Sequence, residues 1–175
     1  MAELVTVGII GGGAWGTALA TVAARNNHRV MVWDINPDIG QSINRYHQHP
    51  FAFPDILLNE NISGAENIEE VCKCPLILAA VPSQFMRETL ARAEKHIESE
   101  AIVALCAKGI EIDSGKLMSE VAETILPHGE NSPTCRTFPV FIFSRMISKA
   151  SSTSANPNPS ATAFVPISTA PLNTI

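Results

Sequence analysis

The chain has 175 residues, 46% of them apolar, and a net charge of −5. That length and apolar content suit one domain with a buried core, and too few cations are present to neutralise the phosphates of a nucleic acid. No apolar run reaches the ~20 residues that cross a bilayer, and no charged-then-apolar leader opens the chain, so a soluble protein of the cytoplasm is expected.

In chain order, LVTVGIIG (4–11) is a β-branched run ending in glycine and reads as a buried strand. Trp15, Leu19, Val22 and Ala23 then recur at helical spacing up to a stop at Asn26 and Asn27. RVMVW (29–33) is a second strand. Asn36 followed by Pro37 starts a helix, with a side-chain oxygen as cap and proline at the first helical position; it runs to about Tyr46. From His47 to Asn67 there is no clear period, which predicts a loop with one short strand near Ile62. LILAAV (76–81) is a strand, and Ser83 opens a helix with Phe85, Met86, Leu90, Ala93 and Ile97 on one face. AIVALCA (101–107) is another strand. A helix capped by Asp113 or Ser114 then carries Leu117, Met118, Val121 and Ile125 inward. Strands apolar on both faces, alternating with amphipathic helices, predict an α/β fold with a doubly wound parallel sheet covered on both sides.

The character changes near residue 132. All seventeen acidic residues and all ten glycines precede it. Residues 132–175 are rich in Ser, Thr and Pro; FPVFIF (138–143) reads as a strand, but the rest has no period and cannot bury enough surface to offset its ordering entropy. The expected organisation is a folded domain over 1–131 and an irregular tail over 132–175.

Gly11, Gly13 and Gly16 form G-x-G-x-x-G between the first strand and the first helix. The first glycine permits a tight turn, the second lets backbone approach a pyrophosphate, and the third lets helix pack on strand. The helix N-terminus then turns its free N–H groups and positive dipole end toward the anion. Asp34 closes the second strand 18 residues after Gly16, where a carboxylate can accept hydrogen bonds from an adenosine ribose. A P-loop would need G-K-[ST], and S-adenosylmethionine enzymes tend to place the third glycine one residue sooner, so a dinucleotide is the expected ligand. No metal site is expected. Cys72 and Cys74 are spaced C-x-C rather than as a zinc pair, Cys106 and Cys135 stand apart, and His47 and His49 read as exposed loop residues.

Several stretches taken together resemble the bacterial-type NAD(P)-dependent glycerol-3-phosphate dehydrogenases. GGGAWGTALA looks like that family's cofactor turn, NNHRVMVW the segment through its second strand, AVPSQF the segment after its fourth, and AKGIE the lysine-bearing segment after its fifth. FPDILLNENI is a looser match, with Asn59 where a proline is usual. The resemblance covers roughly residues 5–130. It implies a Rossmann domain in which Gly11, Gly13, Ala14, Trp15 and Gly16 meet the cofactor, Phe85 packs near it, and Lys108 reaches both cofactor and substrate. Many relatives carry a cation at the position of Ile35, suited to the 2′-phosphate of NADP. Here Asp34 stands beside an apolar Ile35, so NAD is expected over NADP. The implied reaction links sn-glycerol 3-phosphate with dihydroxyacetone phosphate, a step of phospholipid biosynthesis, and full-length members leave homo-oligomers open.

The family's proton-donor lysine lies in a helical C-terminal domain for which too few residues follow, and its Ser-Gly-Pro-x-Phe-Ala segment is absent after residue 133. A truncated or frame-shifted tail is one expectation, with no catalytic residue in this chain and no turnover by it alone. A dinucleotide-binding module or sensor without catalysis is the alternative.

Overall fold

A computed structural model describes residues 4–126 and 134–137. The elements in order are β1 (Thr6–Ile10), α1 (Ala14–Arg25), β2 (Arg29–Trp33), α2 (Pro37–Tyr46), β3 (Gln48–His49), β4 (Phe53–Leu57) and β5 (Ile62–Gly64). They continue with α3 (Ile68–Cys72), β6 (Leu76–Ala79), α4 (Ser83–Ala93), β7 (Ile102–Leu105), α5 (Met118–Glu123) and β8 (Thr134–Thr137).

Six strands form one sheet in the order β5-β2-β1-β6-β7-β8, with every pair parallel. Counted along the chain, these are the third, second, first, fourth, fifth and sixth strands of the sheet. The winding reverses between β1 and β6, and a crevice opens there at the carboxyl ends of the strands. Each central strand is buried on both faces. Ile9, Val32 and Leu78 pack with Leu19, Ala23 and Ile43 of α1 and α2 on one side. Ile10, Ile77 and Val103 pack with Met86, Leu90 and Val121 of α4 and α5 on the other. The expected doubly wound sheet is therefore present.

Local signals place several elements as expected. Asn36 Oδ1 accepts from the Asp38 amide at 3.1 Å, and α2 begins at Pro37 and ends at Tyr46. Asn27 takes a left-handed φ of 63° just past α1, which ends the helix. At the edge of the sheet, Asn44 Nδ2 donates to the Gly64 carbonyl at 2.9 Å, and Asn44 Oδ1 accepts from the Gly64 amide at 2.7 Å. One side chain thus satisfies backbone that a further strand would otherwise seek.

Other elements differ from expectation. The segment after His47 holds the short strand at Ile62, but also an antiparallel hairpin of β3 and β4. The helix α3 follows a capping box in which Asn67 and Glu70 satisfy each other's amides. Residues Asp113 and Ser114 do not cap α5. They lie in a turn where Gly115 takes a φ of +67° and donates to the Glu111 carbonyl at 2.8 Å, and Ser114 Oγ donates to the Glu111 carboxylate instead. The helix accordingly starts at Met118, and Leu117 is left exposed. Phe85 is also exposed rather than part of the core face of α4. Beyond the expected domain limit at 131, β8 adds a parallel strand beside β7. The strand expected at 138–143 and the tail to residue 175 lie outside the described residues.

Candidate functional site

The crevice at the switch point is a cavity of about 570 Å³, within the range of small-molecule sites. Gly11, Gly13, Ala14 and Trp15 form one wall, the exit of β2 from Trp33 to Asn36 another, and Val81, Pro82, Phe85 and Arg92 a third. Seven of the nine residues expected to touch cofactor line this one cavity: Gly11, Gly13, Ala14, Trp15, Asp34, Ile35 and Phe85.

Gly16 and Lys108 do not line it. A Cβ on Gly16 would collide with the Gly11 carbonyl oxygen, so this glycine brings the start of α1 against the end of β1 rather than touching a ligand. Lys108 is exposed, three residues past the end of β7.

The glycine turn is fixed by its neighbours. Gly11 has a φ of +101°, and a Cβ there would sit 2.8 Å from Val81 Cγ1, so a side chain is excluded both by conformation and by space. A Cβ on Gly13 would meet nothing within 4 Å, which leaves open space facing the cavity. Among the described residues, helix α1 has no side-chain cap and no acid in its first turn, so its leading amides are left without a side-chain acceptor. This is a seat for an anion.

Asp34 is already engaged. Its Oδ2 accepts from the Gly12 amide at 2.8 Å and its Oδ1 from the Asn36 amide at 2.9 Å. Each oxygen keeps a lone pair, so the carboxylate can still accept from a sugar hydroxyl while it ties the glycine turn to the β2 exit. Trp15 reaches across the crevice, where its Nε1 donates to the Cys106 carbonyl beyond β7 at 3.0 Å. It is 40% exposed, which places it at the cavity rather than in the core.

Two groups escaped sequence reasoning. Arg92 lies over the Trp33 ring, 5.5 Å from its centroid, and lines the cavity. The absence of a cation at position 35 therefore does not leave the site without one. His49, expected to be exposed, is buried at 2% exposure beneath the glycine turn, with Nε2 2.9 Å from the Gly12 carbonyl oxygen. Neither carries a local signal, because both reach the site only through tertiary packing.

The loop bearing Lys108 is held from α4. Arg87 grips Glu111 through two hydrogen bonds of 2.8 Å, and Gln84 bonds the Ile110 carbonyl and the Ile112 amide at 2.9 and 3.0 Å. The Arg87 guanidinium, helped by the Ser114 hydroxyl, holds the Glu111 carboxyl down at about 2, against an ordinary 4.5. Its stabilising contribution is thus complete above pH 4.5 and lost as pH falls toward 2. Chemical denaturation of Glu111→Gln beside the wild type should show a stability gap that is widest above pH 5 (roughly) and closes on acidification.

The described cysteines carry no chemistry. Burial pushes the Cys72 and Cys74 thiols up to about 11 and Cys106 up to about 12, which keeps them protonated and unreactive.

The strand order, the uncapped α1 behind a glycine turn, and the acid closing β2 define a dinucleotide-binding domain of the α/β type. Residues 6–135 match the family described as NAD-dependent glycerol-3-phosphate dehydrogenase N-terminus. The chain is 42% identical over 122 residues to the glycerol-3-phosphate dehydrogenase [NAD(P)+] of Neorickettsia sennetsu, covering 70% of this chain and 36% of that protein. It is also 42% identical to that of Caulobacter vibrioides, over 69% of this chain and 37% of the relative. The crystal structure of glycerol-3-phosphate dehydrogenase from Coxiella burnetii superposes with a TM-score of 0.65 at 27% identity, over 70% of this chain and 38% of that one. This chain belongs to the NAD-dependent glycerol-3-phosphate dehydrogenase family, and it spans little more than a third of the length of these curated relatives.

Proposed function

We propose that this chain is the cofactor-binding domain of a glycerol-3-phosphate dehydrogenase, working in the cytoplasm on sn-glycerol 3-phosphate and dihydroxyacetone phosphate. The observation that carries the reading is the open space at Gly13 beside the uncapped N-terminus of α1, a cradle that any side chain would fill. The nicotinamide, when bound, exchanges a hydride with C2 of the substrate. The chain's own residues bind and orient it. The α1 amides and Gly13 hold the pyrophosphate, Asp34 accepts from the adenosine ribose, and Ile35, Val81 and Phe85 offer apolar cover. Lys108, a cation at the carboxyl edge of the sheet, is the group proposed to meet the substrate phosphate. Proton delivery to the developing alkoxide is assigned to no residue of this chain.

NAD is the proposed cofactor, because the Asp34 carboxylate would repel a 2′-phosphate. Both tryptophans of the chain line the cavity, so their fluorescence reports occupancy directly. Titration should give tighter binding of NADH than of NADPH, by about tenfold if the repulsion is near 1.4 kcal/mol. Tighter NADPH binding, lost in Arg92→Ala, would assign the 2′-position to Arg92 instead. Absence of binding by either nucleotide would remove the reading altogether.

A further inference from the structure

His49 is the most deeply buried ionisable side chain near the cavity, yet it does not line it. Its ring joins two pieces of backbone that are far apart in sequence. Nδ1 accepts from the Phe51 amide at 3.1 Å and the Ala52 amide at 2.9 Å, which shapes the hairpin between β3 and β4. A nitrogen that accepts from two N–H groups carries no proton, so in the neutral ring the proton sits on Nε2. Nε2 lies 2.9 Å from the Gly12 carbonyl oxygen and therefore donates to it. Thr17 Oγ1 donates to the same oxygen at 3.0 Å, while Asp34 holds the Gly12 amide.

The consequence follows from peptide geometry. In a trans peptide the C=O of one residue and the N–H of the next point in opposite directions. With the Gly12 carbonyl drawn inward by His49 and Thr17, the Gly13 amide must face outward, into the open space beside α1. Hydrogen-bond donors that are aimed before the ligand arrives cost no rearrangement on binding. We infer that His49 is a positioning residue for the cofactor turn, its Nε2–H holding the Gly12 carbonyl so that the Gly13 amide is presented to the pyrophosphate. The inference rests on the reading of this crevice as a dinucleotide site, and it adds the chemistry by which a distant hairpin sets the turn.

Two substitutions divide the two ends of the ring. In His49→Asn the side-chain oxygen can replace Nδ1 and keep the hairpin, but no donor reaches Gly12. In His49→Gln the amide can replace Nε2 and keep the donor, but the acceptor for Phe51 and Ala52 is lost. For the full chain, His49→Asn should melt close to the wild type while its NADH affinity falls about fivefold, the scale of one neutral hydrogen bond. His49→Gln should melt lower yet bind NADH within about twofold of the wild type once measured well below its transition. Nitrogen chemical shifts of the His49 ring should report the Nε2–H tautomer.

Unchanged NADH affinity in His49→Asn, or affinity that simply follows melting temperature in both variants, would reduce His49 to a structural residue and overturn the inference. The Nδ1–H tautomer would overturn it too. Failure of the wild-type chain to bind NADH would instead remove the dinucleotide reading, and this inference with it.

Discussion

Gly13→Leu is expected to abolish NADH binding while the domain stays folded. Gly13 sits at φ −64° and ψ −172°, extended backbone that any residue adopts, and a Cβ there meets nothing in the protein within 4 Å. No strain is introduced, and the cost at a position preceding a helix is about 1 kcal/mol, or a fall in Tm of roughly 2–4 °C. The added side chain would occupy the space in front of the α1 amides. A pyrophosphate held at 3 Å from those amides (about the length of a hydrogen bond) cannot share it, so affinity should drop by more than about a hundredfold. Titration by tryptophan fluorescence and a melting curve on the same sample check both halves. Retained NADH binding would place the pyrophosphate elsewhere.

Gly16→Ala is expected to do the opposite, damaging the fold itself. The new Cβ would collide with the Gly11 carbonyl oxygen and come within 3.2 Å of Ile9 Cγ2. The first atom belongs to backbone and cannot rotate away, so α1 must lift from β1. Overpacking of this kind costs about 1–3 kcal/mol, a fall in Tm of roughly 2–12 °C for a chain of this size. Because Gly11 carries both the strained turn and the carbonyl in question, NADH binding should weaken along with stability. Calorimetry of the purified variant measures the first effect. An unchanged Tm would mean that the close approach of α1 to β1 is not needed for the fold. Two glycines of one motif thus differ in their surroundings, Gly13 facing open space and Gly16 leaving room for a carbonyl.

Position in the motif already distinguishes these roles, the second glycine for close approach of a ligand and the third for helix packing, and the physical need for glycine at each was readable. So were elements governed by neighbouring residues. RVMVW became β2 at its expected bounds, and Asn36–Pro37 started α2 where the cap and the ring demand it. The Asn67 and Glu70 capping box was also present in the sequence, although periodicity through that stretch is weak enough to hide the helix it starts. The expectation that Phe85 belongs to the core face of α4 failed for a geometric reason. Successive helical residues are about 100° apart, so the neighbour of a core residue such as Met86 can stand at the border of the apolar stripe. Phe85 lies on the cavity side of that border.

By itself, the sequence determined the parallel α/β class, the glycine turn and the acid at the close of β2, because each depends on residues within one or two turns of chain. Only the tertiary structure decided that Arg92 lies over Trp33, that Arg87 anchors the Lys108 loop through Glu111, and that His49 supports the turn from below. These pairs are separated by 59, 24 and 37 positions, and what joins them is the stacking of helices and hairpin on a common sheet. Side chains that act through such distances leave no period and no local motif, since their partners are chosen by packing rather than by spacing.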